Sequence, residues 1–310
     1  MQRHKRQQKL MGCSFELGVV LDDEVKALRL LEEGVKEIQR IEDLLSEFKR
    51  GSSITDINTN AYVTPVHVNS EVMELLQRCQ QISRLSQGYF DISVGPLKKL
   101  YRFKNTEFTL PSKKDIQRVK NRVGYENIQL DEDSQTVRLK QENMHLSMAA
   151  IGKGYAADRV KQIWKNHKLS GGYIDASGDL TAFGTDENGQ AWKIGIANPD
   201  DRDQILFHIP LNNASLATSG DYEQHFVHNG VRYSHNLNPK TGLPVTGVKS
   251  VSIFSPSAEL SDALATAVYA MGVDKGLSFL NQLPQTHGIV VDDQNKVFFT
   301  KQLQYEPIPA

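Results

Sequence analysis

The stretch GGYIDASGDLTAFG, residues 171–184, decides the fold class. It contains two short apolar runs, Gly172–Ile174 and Leu180–Phe183, on either side of the turn-forming string SGD at 177–179. Short apolar runs that flank a glycine-containing turn are typical of a β-hairpin, whose two strands are antiparallel. The sequence therefore predicts antiparallel sheet in this part of the chain.

Similar patterns extend outward from this hairpin in both directions. Further strands are predicted at Phe15–Leu21, around Ile128 and Val137, and at Trp192–Ile196, Ile205–Leu211, Ser215–Ala217, Val248–Phe254, Gly288–Val291 and Lys296–Thr300. Apolar residues at three- and four-residue spacing predict helices at Glu24–Phe48, Glu71–Gln87, Lys153–His167, Asp262–Met271 and Val273–Gln282. Because the strands come in runs and do not alternate strictly with helices, the prediction is an α+β fold with mostly antiparallel strands.

The composition is that of a globular protein with almost balanced charge. Of its 310 residues, 39% are hydrophobic and 24% charged, which is enough for a large core in one domain or two tightly joined ones. A formal net charge of -1 provides no excess of cations to bind a phosphate backbone, so no nucleic-acid partner is expected. The two cysteines, Cys13 and Cys79, lack a metal-binding spacing and are predicted to be reduced, packed thiols.

The N-terminal segment has some features of an export signal and lacks others. A basic stretch, MQRHKRQQK, is followed by Leu10–Cys13, which looks like a lipoprotein cleavage box. An export signal needs roughly 7–15 apolar residues between these two features, but Lys9 directly precedes Leu10. The sequence also lacks the roughly 18 uninterrupted apolar residues of a membrane helix. We therefore expect a cytoplasmic protein that does not insert into a membrane.

A glycine-rich string, MAAIGKGYAAD at 148–158, has the features of an anion site. Lys153 lies between Gly152 and Gly154, where a loop enters the predicted helix. Backbone N–H groups at a helix entrance and a lysine ammonium can converge on a phosphate there. The alternative is that Lys153 is a solvated surface charge, as most lysines are.

Asp262 and Thr266, in the string SDALATA, are four residues apart on a predicted helix. Residues at this spacing lie on one helix face about one turn apart, so a carboxylate and a hydroxyl can reach the same ion. Hard oxygen ligands of this kind are those that Mg²⁺ takes. The alternative is that Asp262 is a first-turn acid on the helix dipole and Thr266 faces the core.

Two further strings present polar side chains from turns. His235 lies in YSHNLNPKTGLPV at 233–245, a loop whose prolines and Gly242 make it rigid enough to present one side chain to a cleft. The string ATSGDYE at 217–223 is turn-like. The alternatives are that His235 is incidental and that the second string is only a β-turn.

Together with GYFDISVGPL at 88–97, these strings occur in the order found in the ApbE-type FAD:protein FMN transferases, which the chain resembles from about Met11 to near Lys301. The resemblance implies two packed sheet-and-helix halves, related to the T-fold, with FAD in the cleft between them. It also implies that residues 11–310 form a single domain, preceded by a basic N-terminal extension at 1–10.

The resemblance also implies roles for individual residues. The implied metal ligands are Asp262, Thr266 and the backbone carbonyl of Ala150, because the family's Asp-Ala-Leu-Ala-Thr motif stands here unchanged. Catalytic roles are implied for Lys153, His235 and Asp262. The implied FAD contacts are Met11, Phe48, Tyr89, Phe90, Asp91, Ser147, Lys153, Ser219, Gly220, Asp221, Tyr222 and His235.

Four places depart from the family pattern or have a second interpretation. Ser147 stands where an aspartate is common, so it can keep a hydrogen bond but loses a charge. Asn238 replaces an aspartate in the histidine loop, where an amide can keep the loop's hydrogen bonds but has no acid or base role. Phe48 either stacks on a ring of the ligand or is the last core residue of its helix. Met11–Cys13 matches the family's opening Met-Gly-Thr strand motif, with Cys13 in the place of threonine.

The implied activity is transfer of FMN from FAD to a serine or threonine hydroxyl of a partner protein, with release of AMP and with Mg²⁺ as the metal. The chain contains no Ser/Thr-Gly-Ala string of the family's acceptor type, so the acceptor is expected to be another protein. Two alternatives use the same residues. One is a magnesium-dependent FAD pyrophosphatase, in which water replaces the hydroxyl, and the other is a flavin-binding protein without catalysis.

Overall fold

Strands and helices are interspersed along the chain, much as the sequence predicts. The computed structural model describes residues 1–101, 110–211, 213–220, 225–228, 230–303 and 306–307. The strands in this part of the chain are β1 Arg3–Leu10, β2 Cys13–Val20, β3 Val66–His67, β4 Ile128–Asp131, β5 Thr136–Leu139, β6 Gly171–Ala176, β7 Asp179–Gly184, β8 Trp192–Asn198, β9 Asp201–Leu211, β10 Ser215–Gly220, β11 His225–His228, β12 Val231–Ser234, β13 Leu237–Asn238, β14 Leu243–Pro244, β15 Val248–Ser255, β16 His287–Asp292, β17 Val297–Phe299 and β18 Glu306–Pro307. The helices are α1 Glu24–Leu45, α2 Ser53–Asn60, α3 Ser70–Leu85, α4 Gly95–Leu100, α5 Lys113–Lys120, α6 Gly152–Asn166, α7 Ala258–Met271 and α8 Val273–Leu280.

The largest sheet has eight strands in the order β1-β2-β6-β7-β10-β15-β16-β17. Each neighbouring pair in it is antiparallel. The hairpin that decides the fold class is formed by β6 and β7, which pair from Gly171 with Gly184 to Ala176 with Asp179. Ser177 and Gly178 make the turn and both have positive φ, 57° and 101°. The predicted α+β fold with mostly antiparallel strands is confirmed.

The two faces of this sheet are covered by different layers. On β2, Phe15, Leu17 and Val19 are fully buried and belong to the core shared with the helices α1, α6, α7 and α8. Val20, on the opposite face, packs with Trp192 from the β8–β9 hairpin. Because neighbouring strand residues point to opposite faces, β2 is buried on both. The sheet is thus the middle layer between helices and a smaller sheet.

The two halves of the large sheet meet at β7 and β10. These strands pair at only two positions, and the last pair is Leu180 with Leu216. On one side lie β2, β6 and β7 with α1 and α6, and on the other lie β10, β15 and β16 with α7 and α8. Beyond the two paired positions the strands separate, and α6 packs against α7 across the junction.

The N-terminus contains a strand that the sequence did not predict. Arg3–Leu10 pairs with β2 along its whole length, so it belongs to the large sheet, although it was expected to be a basic extension. Met11 and Gly12 form the two-residue turn between them, with φ of 49° and 81°, so Met11 does not open a strand. The strand is not apparent in the sequence because its half-buried side chains are polar, and Arg6 bonds to Glu32 of α1.

Two helix boundaries differ from the prediction by three residues or more. Helix α1 ends at Leu45, three residues before Phe48. Helix α7 begins at Ala258, with Ser257 as its N-cap, and not at Asp262. Asp262 therefore lies in the second turn, and the alternative that it is a first-turn acid on the helix dipole is wrong.

Candidate active site

A cavity of about 470 Å³ lies where β7 and β10 separate. Its wall combines the start of β2, the segment before α4, the entrance of α6, the β6–β7 turn, the end of β10, the loop after β12 and one face of α7. These parts come from both halves of the sheet. The cavity is large enough for most of a small-molecule ligand.

Lys153, the second residue of α6, forms an ion pair with Asp179 at the start of β7. The other carboxylate oxygen of Asp179 accepts a hydrogen bond of 2.9 Å from the backbone N–H of Thr218 in β10. Burial disfavours the charged form of Lys153, but the carboxylates of Asp179 and Asp262 outweigh it and raise the pKa of Lys153. Lys153 is thus a half-buried, paired cation of the cavity wall and not a freely solvated surface charge.

Gly154 allows α6 and α7 to touch. A Cβ atom at this position would lie 2.3 Å from the carbonyl oxygen of Ala258, at the start of α7. Such a distance is too short for any real contact, so this crossing requires glycine. The close crossing also brings the backbone N–H of Gly154 to 3.3 Å from the carboxylate of Asp262.

Helix α7 presents Asp262 and Thr266 to the cavity on consecutive turns. Asp262 is 6% exposed, and burial raises the pKa of its carboxyl to about 7. The Lys153 ammonium opposes this shift and the Asp179 carboxylate adds to it. The hydroxyl of Thr266 lies 3.4 Å from that of Ser219 in β10. The predicted placement of Asp262 and Thr266 on one face is confirmed.

The oxygen atoms around Asp262 suit a hard cation. Ala150 lines the same cavity from the loop before α6. Within the residues that the structure describes, no group of three or more His, Cys, Asp and Glu side chains could hold a metal ion. A metal here would therefore be held by a mixed oxygen set of a carboxylate, a hydroxyl and a carbonyl. Mg²⁺ accepts such a set because it takes few protein ligands and keeps waters or phosphate oxygens for the rest.

Many of the predicted FAD contacts meet in this cavity. Besides Lys153, the residues of that prediction that line it are Tyr89, Phe90, Asp91, Ser147, Ser219, Gly220 and His235. The first and last of them, Tyr89 and His235, are more than a hundred residues apart in the sequence. Asp221 and Tyr222 lie outside the described residues.

Two of the predicted FAD contacts do not line the cavity. Met11 lies in the β1–β2 turn, with its backbone N–H bonded to Glu42 at 3.0 Å, and its neighbours Gly12 and Cys13 line the wall instead. Phe48 is 88% exposed in the loop after α1. The alternative that Phe48 is a core residue is therefore wrong, because α1 ends before it.

Asp91 organises the loop in front of α4. Its Oδ1 atom accepts hydrogen bonds from the backbone N–H of Ser93 at 2.8 Å and from the Ser93 hydroxyl at 2.6 Å. Its Oδ2 atom accepts one from the backbone N–H of Tyr125 at 2.9 Å. Burial raises the pKa of Asp91 to about 6, and these hydrogen bonds oppose the shift. The Asp91 side chain thus borders the cavity, while its carboxylate oxygens are hydrogen-bonded to protein groups.

His235 and Asn238 belong to the loop that closes one side of the cavity. His235 lies between β12 and β13 and lines the cavity. The Asn238 amide donates to the carbonyl of Ala270 in α7 at 3.0 Å, and its oxygen accepts from the backbone N–H of Lys240 at 2.9 Å. The expectation that an amide at position 238 keeps the loop's hydrogen bonds is confirmed.

Several wall residues were not predicted from the sequence. The sequence indicates only a turn at Asp179, and Lys98 lies in a charged stretch without clear periodicity. The Lys98 ammonium donates to the hydroxyl of Ser147 at 2.9 Å, and that hydroxyl donates to Glu47 at 2.6 Å. Motif spacing could not have indicated these contacts because the three residues are far apart in the sequence.

A half-buried lysine at a helix entrance, beside a carboxylate and a hydroxyl on a facing helix, is an arrangement that can hold a phosphate-containing anion together with a cation. The sequence model of the ApbE family matches residues 11–290. The chain therefore belongs to the ApbE family, as its motifs predicted.

Two relatives are similar in sequence over most of the chain. It is 30% identical over 305 residues to an FAD:protein FMN transferase of Klebsiella pneumoniae (strain 342), covering 97% of this chain and 93% of that one. It is also 30% identical over 282 residues to the FAD:protein FMN transferase of Treponema pallidum (strain Nichols), covering 86% of this chain and 78% of that one.

Solved structures confirm the fold. The ApbE protein from Thermotoga maritima superposes with a TM-score of 0.88 at 29% identity, and 97% of each chain is covered. The flavin transferase ApbE from Vibrio cholerae superposes with a TM-score of 0.86 over 97% of each chain, and at 22% identity this likeness concerns the fold alone. Among the described residues, none of the helices is both long and apolar enough to cross a membrane.

Proposed function

We propose that this protein is a magnesium-dependent FAD:protein FMN transferase, which moves FMN from FAD to a serine or threonine hydroxyl of a partner protein and releases AMP. The observation that carries the proposal is the meeting of Lys153, Asp262 and Thr266 around one cavity at the junction of the two halves. The names of the relatives support the same reaction.

Lys153 and the entrance of α6 are proposed to hold the pyrophosphate of FAD. The ammonium is already cationic and is held in place by Asp179. Backbone N–H groups at a helix start carry partial positive charge and add to the attraction for phosphate oxygens. Tyr89, Phe90 and His235 are proposed to border the flavin half of the ligand.

Asp262, Thr266 and the Ala150 carbonyl are proposed to hold Mg²⁺. When bound, the metal would neutralise negative charge on the phosphate oxygens as the leaving group departs. Asp262 suits this task because its carboxylate is buried and lines the same cavity as Lys153. A cation bound to it would reduce the free-energy cost of burying its negative charge.

The proposed reaction exchanges the phosphoanhydride bond of FAD for a phosphoester bond to the acceptor. The oxygen of the acceptor hydroxyl forms a bond to the phosphorus of the FMN half, and the bond from that phosphorus to the bridging oxygen breaks. AMP leaves with the bridging oxygen, and the hydroxyl proton passes to a base, for which we propose the imidazole of His235. The protein contributes chiefly by positioning the groups and neutralising charge, as in other phosphoryl transfers.

The acceptor is proposed to be a second protein with a serine or threonine in a flavinylation motif. This chain contains no Ser/Thr-Gly-Ala string of that type, which argues against modification of itself. The decisive experiment is to incubate the protein with FAD, Mg²⁺ and a candidate acceptor, and to measure the intact mass of the acceptor and the nucleotides released. A transferase gives a flavinylated acceptor and AMP, a pyrophosphatase gives free FMN and AMP, and a non-catalytic binder gives neither.

We also propose a cytoplasmic location for the protein. Support comes from strand β1, because cleavage before Cys13 would remove a complete, fully paired strand from the large sheet. Cell fractionation and mass analysis of the N-terminal peptide test this. The expected result is an unmodified Cys13 with the preceding residues retained, whereas a diacylated Cys13 would contradict the proposal.

A further inference from the structure

Lys98 is a cavity residue that no motif accounts for. It lies in the last turn of α4 and lines the same cavity as Lys153 and Asp262. Its ammonium donates a hydrogen bond of 2.9 Å to the hydroxyl of Ser147. An ammonium carries three N–H donors, so this bond leaves two for a ligand in the cavity.

The backbone holds Lys98 and Ser147 in register. The N–H of Ser147 donates to the carbonyl of Ile92 at 2.7 Å, and the N–H of Gly95 donates to the carbonyl of His145 at 3.2 Å. A Cβ atom on Gly95 would lie 2.5 Å from that same carbonyl oxygen, so this close approach also depends on glycine. The segment before α4 and the segment around Ser147 are therefore joined by two backbone hydrogen bonds and one close backbone approach.

Behind Ser147 lies a carboxylate from a third segment. The Ser147 hydroxyl donates to Glu47 at 2.6 Å, and the other oxygen of Glu47 lies 3.1 Å from the ring of His145. The Glu47 side chain is 14% exposed. A serine hydroxyl can donate one hydrogen bond. The Ser147 hydroxyl donates it to Glu47, so its oxygen atom accepts the hydrogen bond from Lys98. Ser147 therefore fixes the lysine and does not itself donate to a ligand.

Charge links this chain of contacts to the metal side of the cavity. The Lys98 side chain is exposed to the cavity, and partial desolvation by the cavity wall lowers the pKa of Lys98. The carboxylates of Glu47 and Asp262 act in the opposite direction. Lys153 also interacts with Asp262, so two ammonium groups lie near the same carboxylate.

We infer that Lys98 is a second anion-binding residue of this site, which binds phosphate oxygens of the nucleotide, and that Glu47, acting through Ser147, is its positioning residue. The inference rests on the proposed function for the identity of the nucleotide. It also changes the interpretation of Ser147. The carboxylate that the sequence loses at position 147 is supplied from Glu47, two residues beyond the end of α1.

The first test is the Lys98→Gln variant, with affinities measured by calorimetry in the presence of Mg²⁺ for FAD and for inorganic pyrophosphate. Loss of a charged hydrogen bond should weaken both affinities about tenfold. Lys98→Arg keeps the charge and should stay within about threefold of wild type. The matched control is Lys114→Gln, the same charge change at an exposed position of α5, which should leave both affinities unchanged.

The second test concerns the positioning role of Glu47. Glu47→Gln keeps an oxygen for the Ser147 hydroxyl but removes the charge, and we expect FAD affinity to fall about threefold. Adding Ser147→Asp to this variant returns a carboxylate to the neighbourhood of Lys98 and should restore the affinity. A purely structural role of Glu47 would not be rescued in this way.

The two ligands separate this inference from the proposed function. If wild type binds pyrophosphate but not FAD, the proposed function fails, and the pyrophosphate affinity of Lys98→Gln still tests the anion site. If Lys98→Gln binds both ligands as tightly as wild type, the anion-binding role of Lys98 is overturned. If Ser147→Asp fails to restore the affinity of Glu47→Gln, the positioning role of Glu47 is overturned.

Discussion

At the scale of single residues, the site depends on one lysine held between two carboxylates. Lys153 pairs with Asp179, and both Asp179 and Asp262 stabilise its charge against burial. Asp179 also accepts a hydrogen bond from the backbone N–H of Thr218. Its side chain therefore joins α6, β7 and β10 at the point where the sheet opens. The same carboxylate therefore holds the cation and supports the cavity wall.

We predict that Asp262→Asn removes metal-dependent turnover and leaves the fold intact. Turnover should fall at least about a hundredfold, because the amide cannot replace a charged metal ligand. The free energy of unfolding without metal should change by no more than about 1 kcal/mol, since a buried carboxylate is costly to keep charged. Steady-state kinetics and urea unfolding measure the two quantities.

The control for this prediction is Asp274→Asn, which removes an exposed acid from the first turn of α8. It should leave turnover unchanged and lower the free energy of unfolding by no more than about 1 kcal/mol, the contribution of a first-turn acid to the helix dipole. Wild-type turnover in Asp262→Asn would mean that the metal is bound elsewhere.

A second residue-scale prediction concerns Asp91 and pH. Burial raises the pKa of Asp91 to about 6, so the folded state holds this proton more tightly than the unfolded state does. The resulting stability is fully present below the unfolded-state pKa of about 4 and is lost as pH rises through about 6. Between pH 5 and pH 8, wild type should lose about 1 kcal/mol of unfolding free energy that Asp91→Asn does not lose.

Urea unfolding of both proteins at the two pH values gives this difference. Asp91→Asn should be less stable than wild type at each pH. The amide nitrogen that replaces one carboxylate oxygen cannot accept the hydrogen bond that the backbone N–H of Ser93 or Tyr125 donates there. Asp133→Asn, at an exposed turn position between β4 and β5, is the control and should follow wild type. An identical pH dependence in Asp91→Asn and wild type would show that Asp91 is not the group responsible.

At the scale of elements, the crossing of α6 and α7 brings Lys153 next to Asp262, and Gly154 makes that crossing possible. Gly154→Ala should separate the helices, because the added Cβ would lie 2.3 Å from a backbone oxygen that cannot move alone. We expect a loss of about 2 kcal/mol in unfolding free energy and weaker binding of FAD. Thermal unfolding and calorimetry measure both effects.

Gly152→Ala is a matched control two residues away. The nearest atom to its added Cβ would be the terminal methyl of Met11 at 3.4 Å, an ordinary contact with a flexible side chain. This variant should stay within about 0.5 kcal/mol of wild type, because alanine is also the better helix former. Equal behaviour of the two variants would contradict the role given to the crossing.

At the scale of the whole molecule, the two halves of the sheet share one cavity, whose polar groups are concentrated around the entrance of α6 and the middle of α7. We predict that FAD binds at least about ten times more tightly than FMN, because FMN lacks the pyrophosphate on which Lys153 and the metal ligands are proposed to act. Calorimetry with both flavins decides this. Equal affinities would contradict a site centred on the pyrophosphate.

Much of the fold could be predicted because its signals are local. The β6–β7 hairpin is set by two apolar runs and a turn that adopts positive φ, all within fourteen residues. Strand β1 could not be predicted in this way, because its half-buried positions are polar and gain their partners from α1 and β2. Phe48 was misplaced for a related reason, since apolar periodicity does not mark the residue at which α1 ends.

By itself, the sequence determined the parts of the site whose geometry one helix supplies. Lys153 at the entrance of α6, and Asp262 with Thr266 on one face of α7, follow from spacing of one turn or less. Only the tertiary structure decided that these two helices cross at Gly154, and that Glu47, Ser147 and Lys98 meet at one wall. The physical reason is that such contacts join segments up to about a hundred residues apart, and their distances are set by how the sheet and helices pack, which no local pattern records.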